Sequence, residues 1–272
     1  MILNSWFPKI AFAACLSSFF LFPGYAKAQM SVSPLVIETK AERGQAKAII
    51  TVTNTSNVPS RVRIYAEPFT YNRDTGFESL KSTPTDLTPY LQFSPRELTI
   101  EPGESRRVRL ITGLAPNLPE GEYRAVVFNE TLRDTKDAAG NNVSLVARVG
   151  VTFYVRKGNL SPNLAVSGAS FNTEQKQIQL LVRNSGKATV RPSLNWILRR
   201  GDTVVKTGQV DTNGVVAEGD RNFLLSYPTA NEALSSGNYQ LSGELTWGED
   251  KEKTKLPFKV DVIIPTQVGN KQ

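Results

Sequence analysis

The stretch Asn141 to Gly158, NNVSLVARVGVTFYVRKG, limits the fold of this chain more than any other. Val143, Leu145, Ala147, Val149, Val151, Phe153 and Val155 fall on every second position, and Ser144, Val146, Arg148, Gly150, Thr152, Tyr154 and Arg156 fill the places between them. Alternation with a period of two predicts a β-strand with one buried face. It persists here over Val143–Arg156, where strands usually have about five or six residues. A small domain has too little interior for so long an apolar row, so something else is expected to cover part of it.

The rest of the chain is a series of short alternating runs separated by Gly, Pro, Asn and Asp. The first series is Ser31–Glu38, Ala46–Thr53, Ser60–Pro68, Arg96–Ile100, Ser105–Thr112, Glu122–Glu130 and Val143–Arg156. The second is Asn163–Phe171, Lys176–Arg183, Arg191–Arg199, Thr203–Val210, Asn222–Ser226, Asn238–Trp247 and Lys253–Ile264. No segment has a helical period. Regular short strands with turn signals predict an all-β sandwich. The two series also follow one plan. IITVTNTSNVPSRVRIY and QLLVRNSGKATVRPSLNWI each run to an Asn, at Asn54 and Asn184, then turn and begin a new strand. LPEGEYRAVVF matches LSSGNYQLSGEL, with Gly121 and Tyr123 aligned on Gly237 and Tyr239, and a Gly-x-Tyr entering a strand resembles a tyrosine corner. The expectation is two tandem immunoglobulin-like β-sandwich domains, 29–158 and 159–272, joined in RKGNLSPN where Gly158 and Pro162 end the long strand.

Residues 1–28 are expected to stand outside this fold. Lys9 precedes an apolar run that ends in Ala26-Lys27-Ala28, the pattern of a secretory signal peptide cut after Ala28. Ser17, Ser18, Pro23 and Gly24 interrupt the run, which argues against a spanning helix. Cys15 is the only cysteine, so the mature chain forms no disulfide and relies on its core. Loss of Lys9 and Lys27 lowers the formal charge from +7 to +5, with no polybasic tract that would point to nucleic acid or to a membrane. There is no histidine. That excludes Ser-His-Asp and Cys-His catalysis, and with no mature cysteine it removes the usual nitrogen and sulfur metal ligands. Carboxylates such as Glu101, Glu104, Glu218 and Asp220 sit at turns, where no catalytic role is needed. Neither a cofactor nor a metal is expected, and the chain reads as a non-enzyme.

From about Ser31 to Gly158 the order SVSPLVIE, ITVTN, LQFSPRELTIEPGESRRVRL, GEYRAVVFNE and a long last strand ending FYVR resembles the PapD-like periplasmic pilus-assembly chaperones. The second half resembles them only as a generic sandwich. The resemblance implies two sandwich domains set as an L, holding pilus or surface-fibre subunits that lack a strand. The chaperone's last strand of domain one fills the gap by donor-strand complementation, a form of β-augmentation. The partners implied are those subunits and an outer-membrane usher, in the periplasm. Aligning Arg156 with the arginine that ends the family's strand puts Val143, Leu145 and Ala147 at the positions that plug the subunit groove, with Val149 continuing the row. Val151, Phe153 and Val155 are expected in the domain's own core, while Val143 and Leu145 fit either destination. The family also grips the subunit's terminal carboxylate with an arginine on the first strand and a lysine on the last. Here those positions fall on Glu38 or Thr39 and on Thr152, none of them basic. Lys40, Arg148 and Arg156 lie near enough in sequence to substitute, in a cleft lined by Glu38–Lys40 and Thr152–Arg156.

Two other functions fit a pair of sandwiches. A structural or adhesive envelope protein should protect the edge at Val143–Ala147 with charge or pairing, yet the row carries no inward charge. A carbohydrate-binding module would need Trp196 and Trp247 as exposed platforms, whereas both are expected in the core.

Overall fold

The computed structural model describes residues 30–136, 142–211, 214–225, 234–248 and 252–266, with backbone alone at 132–136 and 142–145. The strands of its first half are β1 (Met30–Ser33), β2 (Val36–Lys40), β3 (Gln45–Asn54), β4 (Ser60–Glu67), β5 (Phe69–Asn72), β6 (Gly76–Ser79), β7 (Leu91–Ser94), β8 (Glu97–Ile100), β9 (Ser105–Gly113), β10 (Gly121–Lys136) and β11 (Asn142–Lys157). Those of the second half are β12 (Leu164–Asn172), β13 (Gln177–Asn184), β14 (Ser193–Arg200), β15 (Thr203–Asp211), β16 (Gly219–Leu225), β17 (Gly237–Trp247) and β18 (Thr254–Ile264). The fold is all-β, and the only helix among the described residues is a single 3-10 turn at Thr88–Tyr90.

In the first half a sheet ordered β1-β3-β9-β7 faces a second ordered β2-β11-β10-β4-β8. The alternation seen in the sequence puts Ile50, Val52, Val108 and Leu110 from one sheet against Val62, Val127, Val151, Phe153 and Val155 from the other. Each large aliphatic side chain buried there contributes about 1.5–3 kcal/mol. The second half repeats the plan with sheets β12-β13-β16 and β15-β14-β17-β18, around Leu180, Leu194, Leu198, Phe223 and Leu241. Trp196 is buried and Trp247 packs at the margin of the same cluster. Gly208 leaves room for the Trp196 ring, which a Cβ would meet at 2.6 Å.

The sequence repeat has a physical basis. Asn54 Nδ2 donates to the carbonyls of Val58 (2.7 Å) and Ile100 (2.9 Å), while its Oδ1 accepts from the Ser56 amide at 2.9 Å. Asn184 Nδ2 donates to Ala188 O at 2.8 Å, and its Oδ1 accepts from the amides of Asn163 and Gly186, each at 3.0 Å. Both asparagines are buried and satisfy turn backbone that would otherwise lack partners. The two tyrosine corners are also present: Tyr123 Oη donates to Pro119 O at 2.9 Å and Tyr239 Oη to Ser235 O at 2.8 Å. Tyr123→Phe and Tyr239→Phe are each expected to cost about 0.5–1.5 kcal/mol, read as a lower urea midpoint with unchanged slope.

The structure corrects several expectations. Ser31–Glu38 is two strands in two sheets: β1 pairs with β3, and β2 pairs with β11. Pro34 lies between them and has no N–H to continue a ladder. Strands β5, β6 and β7 were not expected, and the run at Glu122–Glu130 extends to Lys136. The second face of the long strand is not wholly outward either: Thr152 and Tyr154 are buried. The β5–β6 hairpin folds over that face, and Phe69, Val126, Phe128 and Tyr154 form a second small core. Gly150 provides the notch, since a Cβ there would meet Val126 Cγ2 at 2.8 Å and the Phe128 ring at 3.1 Å.

Candidate functional site

The long strand, β11, is paired with β10 along its whole length, from Gly121↔Lys157 to Lys136↔Asn142. Its opposite edge is different. β2 runs parallel to it only over Thr152–Arg156. From Asn142 to Val151 no other strand among the described residues pairs with that edge. β4 supports β10 only as far as Thr131, so beyond it the two strands continue as a two-stranded ribbon. Such a ribbon is marginal alone in water, and its open edge offers a row of backbone donors and acceptors.

The apolar row divides along this strand. Val151, Phe153 and Val155 are completely buried in the first core, and Val149 is half-buried against it. Ala147 is exposed, and Val146 on the opposite face is 57% exposed. The side chains of Val143 and Leu145 lie outside the described residues. Their backbone is in the ribbon, opposite Thr135 and Arg133.

The other end of β11 lies at the contact between the two halves. Glu122 and Arg156 are opposite each other on β10 and β11. Glu122 has no exposed side-chain surface. Its carboxylate accepts from Arg156 Nε at 3.0 Å and from the Thr189 amide at 2.9 Å, and also from the Thr189 hydroxyl. Arg156 Nη2 reaches Glu38 at 3.1 Å and the Thr189 carbonyl at 2.7 Å. Arg191 pairs with the second oxygen of Glu38. Thr189 and Arg191 belong to the second half of the chain, so this network ties the two halves together. The tip of the β5–β6 hairpin adds a second tie, through Arg73 to Asp220 (3.6 Å) and Asn222 to Asp74 (3.0 Å).

These contacts place the four basic or polar candidates. Arg156 is at the junction, with its Nε and Nη2 already engaged by Glu122, Glu38 and Thr189. Thr152 is buried and its amide donates to Leu35 O at 3.0 Å. Lys40 is exposed, opposite Arg156 at the end of β2. Arg148 is eight residues up the strand from Arg156, about 26 Å at the usual rise. There it donates to Tyr65 Oη at 3.0 Å and lies 4.4 Å above the Phe128 ring.

A different cation was missed. Arg124 faces Tyr154 across β10 and β11. Its side chain is 9% exposed and its closest carboxylate oxygen, on Glu122, is 4.0 Å away. Its Nε and Nη1 have no hydrogen-bond partner, and neither does the neighbouring buried Tyr154 hydroxyl. Burial holds the Arg124 guanidinium below its ordinary pKa, as it does those of Arg191 and Arg221. Arg191 lies 5.2 Å from the Tyr154 ring centre, and Arg221 lies 4.8 Å from that of Tyr71. Arg124, desolvated and with two donors lacking an acceptor, marks a place where an anion would be stabilised. No local sequence signal marks Arg124, because its strand neighbours Tyr123 and Ala125 read as ordinary alternation.

No protein-family model matches the chain, and no curated protein matches it. Among solved structures it is similar to the class 5 fimbriae chaperone CfaA, at 14% identity and a TM-score of 0.49, over 87% of this chain and 99% of that one. It is also similar to the YadV chaperone, at 15% identity and a TM-score of 0.49, over 85% and 100%. A third is the CsuC–CsuE chaperone–tip adhesion subunit pre-assembly complex of the archaic chaperone-usher Csu pili of Acinetobacter baumannii, at 16% identity and a TM-score of 0.47, over 88% and 100%. At these identities the likeness concerns the path of the chain and says nothing of residue roles.

Proposed function

We propose that the chain is a non-enzymatic periplasmic chaperone that holds pilus or surface-fibre subunits by donor-strand complementation through β11. The observation that carries this reading is the unpaired edge of β11 from Asn142 to Val151. A subunit lacking a strand would add its backbone to that edge, and its groove would take Val143, Leu145 and Ala147, with Val149 at the margin of the chaperone's own core. Handover to an outer-membrane usher is part of the same reading. An adhesive role would call for pairing or charge along this edge.

In this reading Arg124 anchors the subunit's terminal carboxylate, in place of the basic pair that the sequence lacks. A carboxylate would supply the missing acceptor to its Nε and Nη1 and offset its desolvation.

Hydrogen–deuterium exchange on the purified chaperone–subunit complex tests the strand. Amides of 142–151 that exchange quickly in the free chain should become protected. A stable complex without that protection would overturn the assignment. Arg124→Met tests the anchor. It removes a buried cation whose nearest carboxylate oxygen, on Glu122, lies 4.0 Å away, so the urea midpoint of the free chain is measured beside capture. It should weaken capture of an intact subunit and leave capture of a C-terminally truncated one unchanged. Equal weakening for both subunits would sink the anchor.

A further inference from the structure

The outward face of the β1-β3-β9-β7 sheet carries a feature that the proposed function does not use. β9 presents Arg107, Arg109 and Ile111 in one row, opposite Thr51, Ile49 and Lys47 of β3. Ile49 is 50% and Ile111 36% exposed. Arg96 approaches from beyond β7, 5.3 Å from the Phe93 ring centre. Arg96, Arg107, Arg109, Ile49, Ile111 and Phe93 help to line an open concavity of about 720 Å³ that has no carboxylate in its lining. Among the described residues neither Arg107 nor Arg109 has an ion pair, whereas their neighbour Arg106 is paired with Glu104 at 2.8 Å.

We propose that this face binds an extended acidic segment of a partner protein. Two features on the page select that occupant. The first is charge: guanidinium forks match carboxylates in a bidentate fashion, and nothing on this face competes for them. The second is spacing. Arg107 and Arg109 are two residues apart on one strand, about 6.8 Å, which is also the distance between alternate side chains of an extended peptide. Ile111 is the next position in the same row. The matching segment therefore carries acid, acid and apolar side chains at alternate positions and lies along β9. A membrane surface needs no such register, and a concave face suits it less than a narrow segment.

The test uses the full exported chain and a fluorescent peptide, Ser-Glu-Ser-Glu-Ser-Leu-Ser, with the isomer Ser-Glu-Glu-Ser-Ser-Leu-Ser as its control. Anisotropy should show saturable binding that weakens as salt is added. The isomer should bind at least tenfold more weakly, and so should the first peptide to an Arg107→Glu/Arg109→Glu variant. Arg107→Gln/Arg109→Gln serves if the charge reversal disturbs folding, judged by the urea midpoint. Equal binding of both peptides would overturn the register, and binding that survives the substitutions would overturn the site. Co-sedimentation with phosphatidylglycerol vesicles without peptide binding would assign the face to a membrane instead and overturn the proposal.

Discussion

A double variant, Val143→Asp/Leu145→Asp, is expected to lose partner capture entirely while unfolding close to the parent chain. Both positions lie on β11 beyond the last β4 support of β10 at Thr131, in the two-stranded ribbon. A carboxylate placed in a partner's apolar groove without a counter-ion costs several kcal/mol, about as much as the two apolar anchors contribute together. In the free chain the same substitutions should cost within about half a kcal/mol per site, as at ordinary surface positions. Capture is read by co-purification with a surface-fibre subunit, and folding by urea unfolding of the free protein. A midpoint far below the parent's would mean that Val143 and Leu145 belong to this chain's own core.

The second large effect is expected at Glu122. Replacement by Ala should cost about 3–5 kcal/mol, because it leaves buried cations without their shared anion. Arg156 Nε would lose its 3.0 Å partner, Thr189 would lose the acceptor of both its amide and its hydroxyl, and Arg124 would lose its nearest counter-charge. Glu122→Gln keeps one acceptor and should fall between the two. Since Thr189 is in the second half of the chain, the junction should loosen as stability falls, and small-angle scattering should show a larger radius of gyration for Glu122→Ala. A loss under about 1 kcal/mol would mean that Glu122 contributes little net stabilisation, as holds for many exposed pairs.

Much of the architecture was legible before the structure. Side-chain direction in a strand depends only on alternation, so β9, β13 and β14 could be read from their own residues. The repeat was legible for a similar reason. Asn54 and Asn184 serve the turns that immediately follow them, through partners that include Val58 and Ala188, four residues on in each case. Tyr123 and Tyr239 likewise bond to carbonyls four residues earlier. The same locality made the split of Ser31–Glu38 avoidable, since Pro34 stands inside it.

The site was only half legible. Its strand could be found because its length is a local property. The long apolar row of β11 and the burial of Val151, Phe153 and Val155 follow from period two alone. Which edge of that strand stays open depends on where β2 stops, and β2 lies more than a hundred residues earlier. Tyr154 read as outward until the β5–β6 hairpin covered it. Arg124 and Glu122 read as ordinary strand charges, and only the arrival of Thr189 and Arg191 from the second half changed the water and the counter-charges around them. Alternation is written into neighbouring residues, so the sequence by itself determined most of the long strands, the faces that build the two main cores and the repeat. Desolvation and charge pairing depend on segments distant in the chain, so only the tertiary structure decided which cations are satisfied, which edge is unpaired and where an anion could bind.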